Sequence, residues 1–176
     1  GDAYRGDRGP LQTRYGSLAN PLHAAWLAAG KEAGYPLTED SNGYQQEGFG
    51  RFDMTVGRGQ RCSAAVAYLH PARSRPNLTV RSGALATRLL LEGGRATGVQ
   101  YARGGATHTA HARREVIVSG GPINSPQLLK LSGIGPAPEL ESHGIPVQHA
   151  LPGVGENLHD HLEFYFQMAC REPVTL

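Results

Sequence analysis

Residues 119–135 read SGGPINSPQLLKLSGIG and follow the apolar run Val116-Ile117-Val118. Apolar, mostly β-branched residues predict a buried strand over 116–119, the paired glycines predict a tight turn, and Ser125-Pro126 predicts a helix start. Serine caps free N–H groups, and a first-turn proline has no N–H to leave unbonded. The helix is therefore expected to begin near Pro126, with Leu128, Leu129 and Leu131 on its apolar face and Gly133 closing it. A strand feeding a glycine turn and a helix N-terminus sets free N–H groups and a positive dipole end beside a surface without side chains. Two readings stay open on these residues: a cradle for an anion or a flat ring, and a tight connection of a common kind. The stretch is not a Walker loop, because no lysine follows the glycines, and Ser125 lacks the flanking glycines of a nucleophile elbow.

Working outward, the chain has 176 residues and 39% hydrophobic content, enough for an ordinary core. Seventeen Lys and Arg face fifteen Asp and Glu without a basic block, so no footprint for nucleic acid is present. No apolar run approaches the ~20 residues that span a bilayer, and a soluble chain is expected. Cys62 and Cys170 stand apart without metal or pairing spacing, which suits two ordinary thiols in a reducing compartment. The chain opens GDAYRG without a methionine and is expected to be an internal piece of a longer protein.

Residues 11–15 form a short extended candidate, a linker or an edge strand. Asn20-Pro21 supplies a cap and first-turn proline for a helix with a stripe of Leu22, Trp26, Leu27 and Ala33, ended by Gly34. A long glycine-rich connection over 38–59 holds NGYQQEGFG, whose role the residues leave unassigned. Ser63 caps a short helix over 63–70 that Pro71 is expected to end, and Leu78-Thr79-Val80 reads as a strand. Residues 85–91, 97–101 and the neighbourhood of His108–His111, separated by Gly93-Gly94 and Gly104-Gly105, predict a β-meander. Interleaved helices and a mixed sheet place the chain in the α/β class, of mixed α+β character.

GGPINSPQLLKLSGIG, GYPLTEDSNGYQQEGFG, SRPNLTV and LPGVGENLHDHLEFYFQMACREPVTL together resemble the glucose-methanol-choline (GMC) family of FAD-dependent oxidoreductases, its choline-oxidising members above all, over nearly the whole chain. The resemblance implies part of an FAD-binding domain of dinucleotide-binding, Rossmann-like type containing the meander, and part of a substrate-binding domain built on an antiparallel sheet. Residues 1–52 would belong to the substrate-binding domain, 53–162 to the FAD-binding domain, and 163–176 would start the substrate-binding sheet. Gly120, Gly121 and Pro122 would lie on the flavin side of FAD, Ala86 would meet its adenine end through backbone, and Asn157 would tie down a turn at the cofactor. The family's glycine-rich pyrophosphate loop, and its catalytic His with a second His or Asn, are not matched here. No catalytic residue is therefore expected in this stretch, which alone should be inactive and hold FAD weakly or not at all.

The activity implied is oxidation of choline to betaine aldehyde with hydride passing to flavin. The alternatives are another primary alcohol as substrate, or a non-catalytic binding or interaction module derived from the family. The implied partner is a small-molecule alcohol, with self-association through surface left bare by truncation. The implied location is cytoplasmic, or peripheral to the inner membrane for the longer parent.

In HLEFYFQM, residues 161–168, alternation puts Leu162, Phe164, Phe166 and Met168 on one face, expected to be core, and His161, Glu163, Tyr165 and Gln167 on the other. On pattern alone, Glu163 on such a strand simply faces water. Choline-oxidising members of the family, by resemblance, set a carboxylate two residues after Asp-His against the trimethylammonium group, here Asp160-His161-Leu162-Glu163. A quaternary ammonium donates no hydrogen bond, so charge and aromatic faces must hold it. Tyr165 could supply a ring, and His161 a wall of the active site. His159, Asp160 and His161 alternate across a strand and cannot easily converge on one metal ion.

Overall fold

The computed structural model describes residues 3–174. It divides into two compact units: one holds the chain up to Thr79 together with Phe166 onward, the other Val80–Tyr165.

In the first unit, strand β1 (Arg14–Tyr15) pairs antiparallel with β2 (Asp53–Met54), so of the stretch 11–15, read as a linker or an edge strand, the last two residues form a strand. Helix α1 (Pro21–Glu32) starts as its residues predict, with the Asn20 side chain accepting from Leu22 N at 2.9 Å. Its packing differs from the predicted stripe. Trp26 is 54% exposed, and the buried position is Gly30, which lies under the ring of Phe49. Phe49 also packs its ring against Trp26 and Tyr35, with centroids 5.4 and 5.6 Å away. The loop NGYQQEGFG thus serves the packing of α1, because backbone bonds from Phe49 N to Pro36 O and from Thr38 N to Phe49 O, both 2.8 Å, fasten that ring over the helix. The buried Thr38 hydroxyl, donating to Gln45 O at 2.6 Å, holds the rest of the loop.

A charged cluster closes the same unit. Arg5 donates to Asp40 and Asp53, each at 2.5 Å, and Asn42 Nδ2 donates to Asp53 at 2.9 Å. Hydrogen bonding from Arg5 holds both carboxyls below their ordinary range, aided by the Asn42 backbone at Asp40 and the Asn42 side chain at Asp53. Strands β3 (Val56–Gly57) and β4 (Gln60–Arg61) form a short hairpin. The next helix corrects the expectation for Pro71: a π-helical segment, Ala65–Leu69, runs on into α2 (His70–Ala72), with Pro71 inside it. The wider π turn lets the chain pass a residue that has no N–H for the ladder. Ser63 still caps, accepting from Val66 N at 3.3 Å.

In the second unit, β5 (Leu85–Glu92), β6 (Arg95–Arg103) and β7 (Ala106–His111) make the predicted antiparallel meander. Its two-residue Gly-Gly loops adopt positive φ at all four glycines, the twist that a tight hairpin needs. Helix α3 spans Gly121–Leu131 and packs on β5. Strand β8 (Ile134–Gly135), helix α4 (Ala137–Ser142) and strand β9 (His149–Ala150) follow, with β8 and β9 parallel. The core is small: Leu89, Tyr101, Leu140 and Val154 are its buried apolar side chains. Ser132, only 1% exposed, donates to Leu128 O at 2.6 Å and accepts from Leu89 N at 2.8 Å, joining the end of α3 to the middle of β5.

Four expectations are overturned here. Helix α3 begins at Gly121 rather than near Pro126, which sits in its second turn, and Ser125 Oγ accepts from Gly120 N at 3.0 Å instead of capping a later start. Neither residues 78–80 nor 116–119 form a strand, Val116 and Val118 being half-buried and Ile117 77% exposed. Residues 159–170 have no regular structure, and Leu162, Phe164, Phe166 and Met168 are 92, 81, 76 and 80% exposed. Apolar alternation makes a buried strand only where a neighbouring strand and a layer cover it, and neither segment has one among the described residues.

The packing of the first unit can be tested at two places. Gly30→Ala gains up to ~1 kcal/mol of helix propensity, yet its Cβ would lie 2.5 Å from the Phe49 ring. A net loss of about 1–3 kcal/mol is expected in chemical unfolding. Because Asp40 and Asp53 titrate low, their contribution is present above the ordinary carboxylate range and fades as pH falls through their depressed values. Stability measured against pH should lose that acid-side decline in part in Arg5→Gln.

Candidate functional site

Between the meander and α3 lies a groove of about 390 Å³. One wall is Leu85, Ala86 and Leu89 of β5 with Val99 of β6; the other is Asn124, Gln127, Leu128 and Leu131 of α3. The run Val116–Gly120 closes the end. The spacing 124, 127, 128, 131 is one face of a helix, so the sequence builds this wall once the helix starts at Gly121. The Ser132 bridge sets the distance between the walls, since it ties the α3 terminus to Leu89, a groove residue itself.

Ala86 and Gly120, far apart in sequence, line this one groove. Gly121 and Pro122 open α3 at its edge, with Gly121 at φ +88°, where an L side chain is strained and glycine is not. The arrangement is an apolar slot with two side-chain amides and, beside a side-chain-free turn, the positive end of a helix. It suits a flat heteroaromatic group carrying an anionic arm.

The other nominated residues fall outside the groove lining. Lys130 of α3 binds both carboxylate oxygens of Glu139 at 2.8 Å, and Gly155 lies against its ammonium end, so the turn over 151–157 is held to the helix. Asn157 takes φ +56°, a left-handed conformation that asparagine tolerates better than most residues, in keeping with a turn role. Beyond it, His161 is exposed, with its backbone N–H donating to Asp160 Oδ1 at 2.8 Å. Glu163 and Tyr165 come together: the phenol donates to Glu163 Oε2, and that hydrogen bond raises the Tyr165 pKa above its usual value.

Sequence reasoning missed Leu89, Asn124, Gln127 and Ser132. The signal for Asn124 and Gln127 is the helical register of 120–131, which taking Ser125-Pro126 as the helix start hides. A second cavity, about 440 Å³, lies in the first unit among Leu18, Trp26, Phe52 and Met54. It is larger, but none of the sequence-nominated residues reaches it, and its walls are mostly apolar. The groove between β5 and α3 is therefore the candidate site. Among the described residues no helix is long and apolar enough to cross a membrane, and no group of three His, Cys, Asp or Glu could hold a metal ion.

A family model described as GMC oxidoreductase matches residues 8–163. The mitochondrial choline dehydrogenase of Homo sapiens is 60% identical over 98% of this chain and 29% of that protein. An oxygen-dependent choline dehydrogenase of Photobacterium profundum is 53% identical over 99% of this chain and 31% of its own length. The chain thus spans about 30% of the curated relatives it matches. Among solved structures, an FAD-dependent oxidoreductase from Chaetomium thermophilum superposes with a TM-score of 0.80 at 30% identity, covering 85% of this chain and 26% of that one. Pyridoxine 4-oxidase from Mesorbium loti gives 0.76 at 31% identity, covering 84% and 29%. The mixed helix and sheet fold read from the sequence is the fold of these flavoenzyme segments.

The turn geometry yields a stability test. No atom lies within 4 Å of a Cβ added at Gly121, so Gly121→Ala meets backbone strain alone, about 1–2 kcal/mol. Asn157→Gly should be near neutral and Asn157→Val should cost a similar 1–2 kcal/mol, each read from the unfolding midpoint.

Proposed function

The chain belongs to the GMC oxidoreductase family, and from that membership we propose that it is the central part of an FAD-dependent choline dehydrogenase, which oxidises choline to betaine aldehyde. The chemistry that bound FAD would supply is acceptance of a hydride from the hydroxyl-bearing carbon. This chain's residues hold and orient. The observation that carries the reading is the groove in which Ala86 and Gly120 meet, in a chain 53–60% identical to proteins named choline dehydrogenase.

The residues fit the cofactor's chemistry. An apolar slot with the Asn124 and Gln127 amides can take a flat ring system, and the turn at Gly120, Gly121 and Pro122 allows close backbone approach. We assign that turn and the backbone at Ala86 to FAD, with Asn157 shaping the turn that follows. His161, Glu163 and Tyr165 face the alcohol. Glu163 supplies the charge that a trimethylammonium group needs, because such a group offers no N–H to bond. In this reading residues 1–52 and 163–176 serve the substrate-binding domain and 53–162 the FAD-binding domain. The grouping of the tail from Phe166 with the N-terminal unit supports the first assignment for that part; residues 163–165 fall in the other unit and Asp53–Thr79 in the N-terminal one, and their places rest on family resemblance.

The test uses the whole protein loaded with FAD. Glu163→Gln should raise KM for choline about tenfold to a hundredfold, the size of one lost charge attraction at a partly desolvated site. KM for the neutral carbon isostere, with a tert-butyl group in place of trimethylammonium, should stay unchanged. Equal effects on both substrates would remove the ammonium-anchor role and leave an oxidase or dehydrogenase of another primary alcohol.

A further inference from the structure

Tyr165 stands two residues after Glu163, and the two side chains come together. Its hydroxyl donates to Glu163 Oε2. The phenol is therefore engaged through its oxygen, and the carboxylate is engaged through one of its two oxygens. Neither residue is packed: Tyr165 is 84% exposed and Glu163 is exposed, so no core contact holds the glutamate in place. Its side chain is restrained, among the described residues, by that hydroxyl bond.

We infer that Tyr165 is a positioning residue for substrate choice: its hydroxyl ties down Glu163 Oε2 and leaves Oε1 to meet a quaternary ammonium guest. This rests on the ammonium-anchor role of Glu163. A free glutamate side chain loses up to ~1.5–2 kcal/mol of rotamer entropy when fixed, and a partner that fixes it beforehand lowers the cost of binding. A charge-assisted O–H···O⁻ bond is strong enough to do so. The bond also consumes one acceptor oxygen, which disfavours alcohols that would donate a hydrogen bond to Glu163 relative to a cation that needs only charge.

The experiment compares Tyr165→Phe, Glu163→Gln and the double variant in the whole FAD-loaded protein, on choline and on its neutral carbon isostere. Tyr165→Phe keeps the ring and removes only the hydroxyl. KM for choline should rise about threefold to tenfold, one hydrogen bond's worth, and by a larger factor than KM for the isostere. In the Glu163→Gln background the same change should have no further effect, because the carboxylate it positions is gone. Flavin content of each variant separates misfolding from a local effect. A selective Glu163→Gln effect with a silent Tyr165→Phe would overturn the positioning role alone. Equal losses on both substrates in Tyr165→Phe would do the same, pointing to packing. A Glu163→Gln variant without choline selectivity would withdraw the anchor and this inference together.

Discussion

One buried hydroxyl organises the second unit. Ser132 lies at the end of α3, 1% exposed, and satisfies two backbone groups at once: it accepts from Leu89 N and donates to Leu128 O. Leu89 N–H is a buried sheet donor, and an unsatisfied buried donor costs about 1–3 kcal/mol. Without the serine, α3 could slide on β5 and still pack Leu128 against it. With it, the helix has one register against the sheet, and the walls of the groove face each other across a set distance. The side chains that line the groove are ordinary; their placement depends on this bond.

The rest of the chain is built to be covered. Only a handful of apolar side chains are buried, while Ile117, Leu162, Phe164 and Phe166 are more than three-quarters exposed. Segments at 116–119 and 159–170 carry strand-forming residues but form no strand among the described residues. Backbone N–H and C=O groups and apolar side chains both favour pairing and burial, so these segments present the surface that further protein would occupy. That agrees with a chain spanning about 30% of the relatives it matches.

Local signals in the sequence were reliable where the physics is local. The Asn20-Pro21 helix start and the Gly-Gly hairpins depend on a few neighbouring residues, and both formed as read. The start of α3 was misread because Ser125-Pro126 satisfies the rules for a cap, whereas the chain begins the helix at Gly121 and turns Ser125 back onto Gly120 N. Strands at 78–80 and 116–119 were misread because pairing is a property of the partner, which the segment itself does not encode. Of the site, Ala86 and Gly120 were nominated by family resemblance, and only tertiary packing brought them to one groove. Ser132 carried no signal at all: a serine before a closing glycine looks like any helix end. Nor does the sequence mark the Tyr165 hydroxyl bond, because a tyrosine two residues from a glutamate is compatible with many side-chain placements.

On the reading proposed here, FAD sits in the groove between β5 and α3. The most direct measurement is an experimental structure of the whole protein with its flavin bound. The cofactor should run along that groove, touching the backbone at Ala86 and the turn at Gly120 to Pro122, with the Ser132 bridge intact behind it. Flavin bound elsewhere, with the groove filled by protein side chains, would contradict that placement.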